Sequence, residues 1–490
     1  MLAAALRLLN LGANPGWDGD EGYNYNIALN LAHGHRQMFA LSFVFVQHPP
    51  LFFLMAAALF HIFGASMLVL RALSTLCCLG TLLLLRPLAY ELAGRDLSEA
   101  EASSGGRPTG ARIALLASLV YAVAPLVVLQ NRFGYTYNGL AFWTTLTTLA
   151  VLRFRRTRSA GALALAGLAT ALALVTDQEG VYLLPVLLLG LGGASLARRL
   201  LACALALAGP ALYVGAMALA DPAALVFDVT HTAGRVSGGS LLYQGAALLY
   251  YLADLLRFDP LIPLGLAGLA LVPHRPARRL LLGLLAAMLL VILKVRDPNP
   301  LFRTAEPLLP LVCLGLGVLG AVLSTRRRVT ANGRAALGLA LALLLVAGTA
   351  YDARAALTRF PTRIGGLLPR STGDAAAMAG WLNRRLRPDD LVIAMPQVSW
   401  TLRARTTELL QSVAYGGQPS AFYPAGIAPR RWRYPVGIDA ARFLVVDDFT
   451  RAWIAQNGAE RALVARVRHR WPLVYAHGEY TVYENPAHAH

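Results

Sequence analysis

The sequence predicts a polytopic α-helical membrane protein that carries a small α/β domain at its C-terminal end. Three observations predict it. Hydrophobic residues make up 57% of the 490 residues and charged ones only 14%, with a mean hydropathy of +0.53. Apolar runs of about 18–20 residues, enough to cross a hydrocarbon core of ~30 Å, recur as far as Tyr351. Beyond Tyr351 such runs stop, and short helix-like and strand-like patterns alternate.

Eleven segments read as spanning: 1–13, 67–92, 112–130, 138–153, 160–176, 180–197, 200–220, 258–273, 279–295, 303–325 and 334–351. One set of connections is rich in arginine: Arg95, Arg107 and Arg112; "RFRRTR" at 153–158; Arg198 and Arg199; "HRPARR" at 274–279; "RRRVTANGR" at 326–334. The other set comprises the acidic stretch after the first span, "TDQEG" at 176–180, a long loop at 221–243 and "RDPNP" at 296–300. The excess of basic residues belongs on the cytoplasmic side, so the N-terminus is expected inside a cell (inner) membrane and the C-terminus outside. Much of the net charge of +18 is thereby accounted for, and no nucleic acid is expected as a partner.

Residues 49–64, "PPLFFLMAAALFHIFG", are apolar but short for a span. Were they to cross, every later loop would invert and the arginine-rich ones would face outward. They are expected to form a helix at the outer membrane surface, opened by the proline pair. An amphipathic helix, "GYNYNIALNLAHG", precedes it in the same outer loop, 14–66. Segment 1–13 would reach only ~20 Å as a helix, so the natural start is expected some ten to fifteen residues upstream.

Two domains result: a membrane domain over 1–351 and an extracytoplasmic α/β domain over 352–490. In the latter, "GDAAAMAGWLNRRL" and "WTLRARTTELLQSVAYGG" read as helices, "DLVIAM" and "RFLVVDD" as strands, and "PLVYAHGEYTVYEN" as a closing hairpin. Neither a Walker motif nor a dinucleotide-binding glycine loop is present, which argues against nucleotide use. Cys77, Cys78, Cys203 and Cys313 all fall inside apolar runs and read as small buried hydrophobes.

The chemistry concentrates in "NPGWDGDEGYNYNIALN", where Asp18, Asp20 and Glu21 stand among aromatics, Tyr23 included, with no cation beside them. Asp18 suits a helix cap. Asp20 and Glu21 read either as further caps or as groups of a site. At another outer boundary lie Arg296, Arg303 and Lys294, the only lysine of the chain. Such cations fit a lipid phosphate or diphosphate, or else snorkel to the interface. Arg132, Tyr137 and Asn138 of "QNRFGYTYNGLAFW" would line a substrate cavity together with Tyr23, or form an interfacial belt. His48 of "QHPPL" reads as a phosphate contact or a surface histidine.

A carboxylate working as general base on an acceptor hydroxyl or amine, with cations stabilising a departing phosphate, describes glycosyl transfer from a polyprenyl-phosphate sugar. One base suffices, because phosphate leaves with little acid assistance. A glycosidase would need two carboxyl groups in an acid–base pair. The alternative readings are a polyprenyl-glycolipid binding protein without catalysis and a transporter or flippase; the latter would be expected to show broken helices and midplane charges. Expected partners are the bilayer, the polyprenyl-phosphate-linked sugar and an acceptor glycan, lipid or protein.

"DEGYNYNIALNLAHGH", "HPPLFFLMAAALFHIFGAS" and "LRALSTLCCLGTLLLLRPLAYELAG", in that order, resemble the protein O-mannosyltransferases and lipid A aminoarabinose transferases of the GT-C class. The resemblance covers roughly residues 5–325, and "RFGYTYNGLAFW" and "TAEPLLPLVCLGLGVLGAVL" fall where later signatures would. It implies a GT-C fold, a polyprenyl-phosphate donor and inversion at the anomeric carbon. It points to Asp20 as base, Glu21 as its positioning neighbour and His48 near the donor phosphate. Tyr137 and Asn138 stand where many relatives show a second acidic residue, which argues against a two-carboxylate or metal-dependent mechanism; no cofactor is expected, with a divalent metal left open as the alternative.

Overall fold

The computed structural model describes residues 1–35, 37–38, 41–42, 48–94, 110–236, 261–294, 306–325, 330–358, 372–420, 423, 425 and 427–488. They form two compact units. The first comprises Met1–Leu11, Phe45–Phe52 and Arg71–Phe360; the second comprises Gly12–Val44, Phe53–Leu70 and Pro361–His490.

The helices run in chain order as α1 (Leu2–Leu8), α2 (Gly19–Ala32), α3 (Leu51–Phe63), α4 (Met67–Ala93), α5 (Gly110–Val123), α6 (Pro125–Gln130), α7 (Thr136–Thr157), α8 (Ala160–Leu174), α9 (Leu183–Gly190), α10 (Leu196–Ala220) and α11 (Pro222–Val236). After these come α12 (Leu261–Leu269), α13 (Arg275–Lys294), α14 (Leu309–Thr325) and α15 (Ala331–Leu357). Among the described residues, Met67–Ala93, Leu196–Ala220 and Glu306–Thr325 are long and apolar enough to cross a membrane.

In the first unit, packing is set by small residues. A Cβ on Gly268 would lie 2.1 Å from the Gly315 carbonyl oxygen, and one on Gly315 would lie 1.7 Å from that of Gly265. Helices α12 and α14 therefore touch backbone to backbone, the contact that small residues permit between helices in lipid. Gly317 approaches α5 in the same way: a Cβ there would lie 2.7 Å from the Ile113 carbonyl oxygen. At the arginine-rich end of α7, Arg156 reaches Glu91 of α4 through two bonds of 3.1 and 3.0 Å.

The structure departs from the sequence expectation in several places. Residues 112–130 are not one helix, because Pro125 cannot donate to the preceding turn; the chain breaks at Ala124 and restarts with proline at the first position of α6. The expected loop at 221–243 begins instead as helix α11. Segment 180–197 is a short 3-10 turn, Gln178–Tyr182, followed by α9, which ends before Gly192 and Gly193. Helix α3 forms where a short surface helix was expected, with Ile62 and Phe63 exposed at its end.

The second unit is built on a five-stranded sheet. Its elements are α16 (Thr372–Asn383), β3 (Leu391–Ile393), α17 (Pro396–Ser399), β4 (Arg405–Thr407), α18 (Leu409–Tyr415), β5 (Phe443–Val446), α19 (Asp448–Gln456), α20 (Gly458–Arg470), β6 (Leu473–His477) and β7 (Tyr480–Glu484); β1 (Gln37–Met38) and β2 (Leu41–Ser42) form a separate two-stranded ribbon. The sheet order is β4-β3-β5-β7-β6, with β3 parallel to both neighbours and β7 antiparallel to both of its own. Met378, Leu382, Val392, Phe443 and Val482 form its core. "WTLRARTTELLQSVAYGG" was expected to be one helix. Its middle is strand β4, drawn extended by parallel pairing of Arg405–Thr407 with β3, and only 409–415 is helical.

Candidate active site

The acidic stretch opens α2. Asp18 is its N-cap: its carboxylate accepts the Asp20 amide at 2.8 Å, while the Glu21 carboxylate accepts the Asp18 amide at 3.4 Å. This reciprocal arrangement satisfies orphan donors of the first turn. Asp18 and Glu21 are buried, and Asp20 between them is half-buried.

Helix α2 was expected to be amphipathic. Instead it carries buried residues on several sides, because it is embedded within the second unit. Gly22 permits this: a Cβ there would lie 1.9 Å from the Pro396 carbonyl oxygen. Trp17 and Tyr25 both pack on Trp400, with ring centroids 5.0 and 5.4 Å away. Asn26 donates to Ser399 Oγ at 3.4 Å, and Arg433 donates to Asn30 Oδ1 at 3.0 Å. Below α17, Gln397 donates to Asp447 at 2.5 Å, and Asp447 caps α19 through the Thr450 amide at 2.7 Å.

Tyr23, one turn beyond Asp20, donates its hydroxyl to Glu408 Oε2. Glu408 is fully buried, and burial pushes its carboxyl up to about 7. Burial, together with the neighbouring Glu408, also raises the Tyr23 phenol well above its ordinary value. Tyr423 faces the same carboxylate and receives a bond of 3.2 Å from Gln411, which in turn accepts from Thr407 at 3.0 Å.

In the first unit the polar residues gather where α6 meets α7. Arg7 of α1 is fully buried; it donates to Asn131 Oδ1 at 3.0 Å and to the carbonyls of Ala3, Ala122 and Tyr121 at 3.1, 3.0 and 2.6 Å. Arg132 donates to the Leu6 and Leu9 carbonyls, both at 2.7 Å, and Arg71 to that of Leu11 at 2.9 Å. These are the carbonyls that the end of a helix leaves without partners. Asn131 also donates to Asn138 Oδ1 at 3.1 Å and to Glu306 at 3.4 Å, and the Cys78 thiol donates to Asn138 at 2.7 Å.

Arg132 and Asn138 are thus engaged inside the unit, with Asn138 reaching the Gln130 and Phe133 carbonyls at 3.3 and 3.1 Å. Tyr137 stands edge-on to Tyr135, with centroids 6.4 Å apart. His48 is half-buried. Lys294 is the last residue of α13, and the segment that carries Arg296 and Arg303 lies outside the described residues.

Several acids buried among the described residues escape sequence reasoning. Besides Glu408 and Asp447, they include Glu306 at the head of α14, Asp352 beside Arg7 and Arg132, and Asp177. Asp177, in the loop before α9, accepts from Thr136 at 2.6 Å and from the Glu179 amide at 3.0 Å, and burial lifts it to about 6. For Asp177, Glu306 and Asp352 there is a local signal, an acid at the edge of an apolar run.

Among solved structures the chain is similar to ArnT from Cupriavidus metallidurans. The apo state superposes with a TM-score of 0.66, 15% identity, and coverage of 99% of this chain and 96% of that one. The same protein bound to undecaprenyl phosphate gives 0.64, 16%, 99% and 97%. The chain therefore has the ArnT-like GT-C fold, mostly helical with a small C-terminal sheet. With that fold and its long apolar helices, it is a multi-pass membrane protein. No family model matches the chain, and no curated protein does.

Proposed function

We propose that this protein is a membrane glycosyltransferase. It moves a hexosyl or pentosyl unit from a polyprenyl-phosphate donor to an acceptor hydroxyl or amine, with inversion, on the outer face of a cell membrane. The observation that carries the reading is the first turn of α2. Asp18 and Glu21 cap that turn, and Asp20 stands between them half-buried, in a stretch of sequence, 12–32, that holds no lysine or arginine. Support comes from the fold shared with ArnT, a protein captured with undecaprenyl phosphate.

In this reading Asp20 takes the acceptor proton as the new bond forms at the anomeric carbon. The bond from that carbon to phosphate oxygen breaks, and the electron pair leaves with the polyprenyl phosphate. Lys294, Arg296, Arg303 and His48 are the groups assigned to the donor phosphate. Glu21 holds the helix start. No cofactor is assigned. Eleven spans, arginine-rich loops in the cytoplasm and residues 352–490 outside complete the proposal.

The test is mass spectrometry of glycolipids and glycoproteins from cells with the wild-type protein, without it, and with Asp20→Asn. A sugar modification that disappears in the last two supports transfer. Asp20→Asn should lower it by about two orders of magnitude, the scale of a general base. Near-normal product from Asp20→Asn would overturn the assignment of the base. Identical products with and without the protein would favour a glycolipid-holding or transporting role instead.

A further inference from the structure

The soluble sheet domain holds a carboxylate whose placement serves α2 rather than its own helix. Glu408 occupies the N-cap position of α18, where a side-chain oxygen would ordinarily accept an amide of the first turn. It makes no such bond. Its carboxylate turns instead to the Tyr23 hydroxyl, 385 residues away in sequence. Glutamate is also a poor choice for filling this space. Complete burial of a carboxylate is costly unless it is well paired, and an apolar side chain of similar volume would fold as well or better. The titratable groups facing it are Tyr23 from α2 and Tyr423 from the loop after α18, and burial keeps both phenols neutral.

Tyr23 follows Asp20 by three residues, so both lie on neighbouring parts of one helical face. The contact at Gly22 fixes how closely α2 approaches α17. Such a backbone contact leaves rotation about the helix axis to side chains: Asn26 on Ser399, Arg433 on Asn30, Trp17 and Tyr25 on Trp400, and the Tyr23–Glu408 bond, which is made one turn from Asp20. A rotation of α2 would swing the Asp20 carboxylate away from the direction it now faces, and catalytic geometry tolerates misplacements of well under 1 Å. We infer that Glu408, acting through Tyr23, is a positioning residue for Asp20, and that holding the acidic helix in register is a task of the C-terminal domain. The inference rests on the reading of Asp20 as the base.

The test uses the full chain in a strain lacking the native gene, with Glu408→Ala, Glu408→Gln, Tyr23→Phe and Asp20→Asn. The readouts are the sugar-modified product and, for the purified proteins, affinity for undecaprenyl phosphate. Glu408→Ala and Tyr23→Phe should lower product about 10- to 100-fold while affinity for the lipid phosphate changes less than about twofold. Glu408→Gln still offers Tyr23 an acceptor oxygen and cannot ionise; it should keep at least half the product with the external medium at pH 6. A loss of abundance, lipid binding and product together in both Glu408→Ala and Tyr23→Phe would mean a merely structural role and overturn the inference. Normal product from both variants, with Asp20→Asn inactive, would overturn it and leave the base intact. Full activity of Asp20→Asn would remove the base and the inference together.

Discussion

Gly22 of α2 and Pro396 of α17 meet so closely that a Cβ on the glycine would stand 1.9 Å from the proline carbonyl oxygen and 2.4 Å from its carbon. Neither atom is the end of a flexible side chain, so the backbone would have to move. Gly22→Ala should therefore destabilise the docking of α2 by about 1–3 kcal/mol, the cost of overpacking, despite the higher helix propensity of alanine. Hydrogen exchange of the α2 amides reads it. Unchanged protection would show that α17 yields easily.

The three acids of the first turn should separate by effect. Asp18→Ala removes a cap and should cost about 1 kcal/mol of stability. Asp20→Asn leaves the Asp18–Glu21 capping box in place, so it should keep the melting temperature of the wild type and lose product. Thermal unfolding of the purified variants, run beside the product assay, checks both.

A pH dependence follows from Glu408. Its carboxyl rises from an ordinary 4.5 to about 7 on folding, so between those values the folded chain binds the extra proton. Stability of the second unit is then greatest near the lower value. It falls as pH rises to about 7, by a few kcal/mol at most, since one pKa unit is worth about 1.4 kcal/mol. Exchange protection of α18 and α2 should be lower at pH 8 than at pH 5.5. Glu408→Gln should flatten that difference, and an equal slope in the variant would assign the titration to another group.

Arg7→Met should be among the most damaging single changes in the first unit. It strips donors from three buried carbonyls and from Asn131, at a cost of about 3 kcal/mol or more. The loss should appear as a lower melting temperature in detergent. Arg7→Lys should not restore it, because one ammonium cannot span four acceptors in that geometry.

The sidedness can be tested directly. Ser159→Cys, after the arginine-rich end of α7, and Gln418→Cys, after α18, are exposed positions. In a cysteine-free background they should label from opposite faces of the membrane with an impermeant reagent. Labelling from one face would overturn the parity argument and the surface-helix reading of 49–64.

The sequence carried the fold where the signal was local. Apolar runs mark helices because burial in lipid needs no partner identity, and "LVI" and "FLVV" mark strands because branched residues suit a pleated interior. Strand β4 was hidden: "RTTELLQSVAY" has helical character, and only pairing with β3 makes Arg405–Thr407 extended. In the site, Asp20 and Glu21 were visible as a charge cluster in an apolar chain. Glu408 was not, since its meaning depends on Tyr23, and no pattern within α18 refers to it. Arg132 and Asn138 were noticed for their polarity, whereas their partners, the carbonyls of Leu6, Leu9, Gln130 and Phe133, have no sequence signature at all.

The buried Arg7 also sets an order of assembly. A guanidinium buried in the last turn of a short apolar helix is costly in lipid until its acceptors arrive. Those acceptors are the Tyr121 and Ala122 carbonyls and the Asn131 amide, the last 124 residues further along the chain. At about 5–20 residues per second, the ribosome needs roughly 6–25 s to deliver them. During that interval α1 has nowhere comfortable to go, and it must wait at the insertion machinery or at the membrane surface until α5 and α6 emerge. Lengthening the chain between α1 and α5 would lengthen that wait.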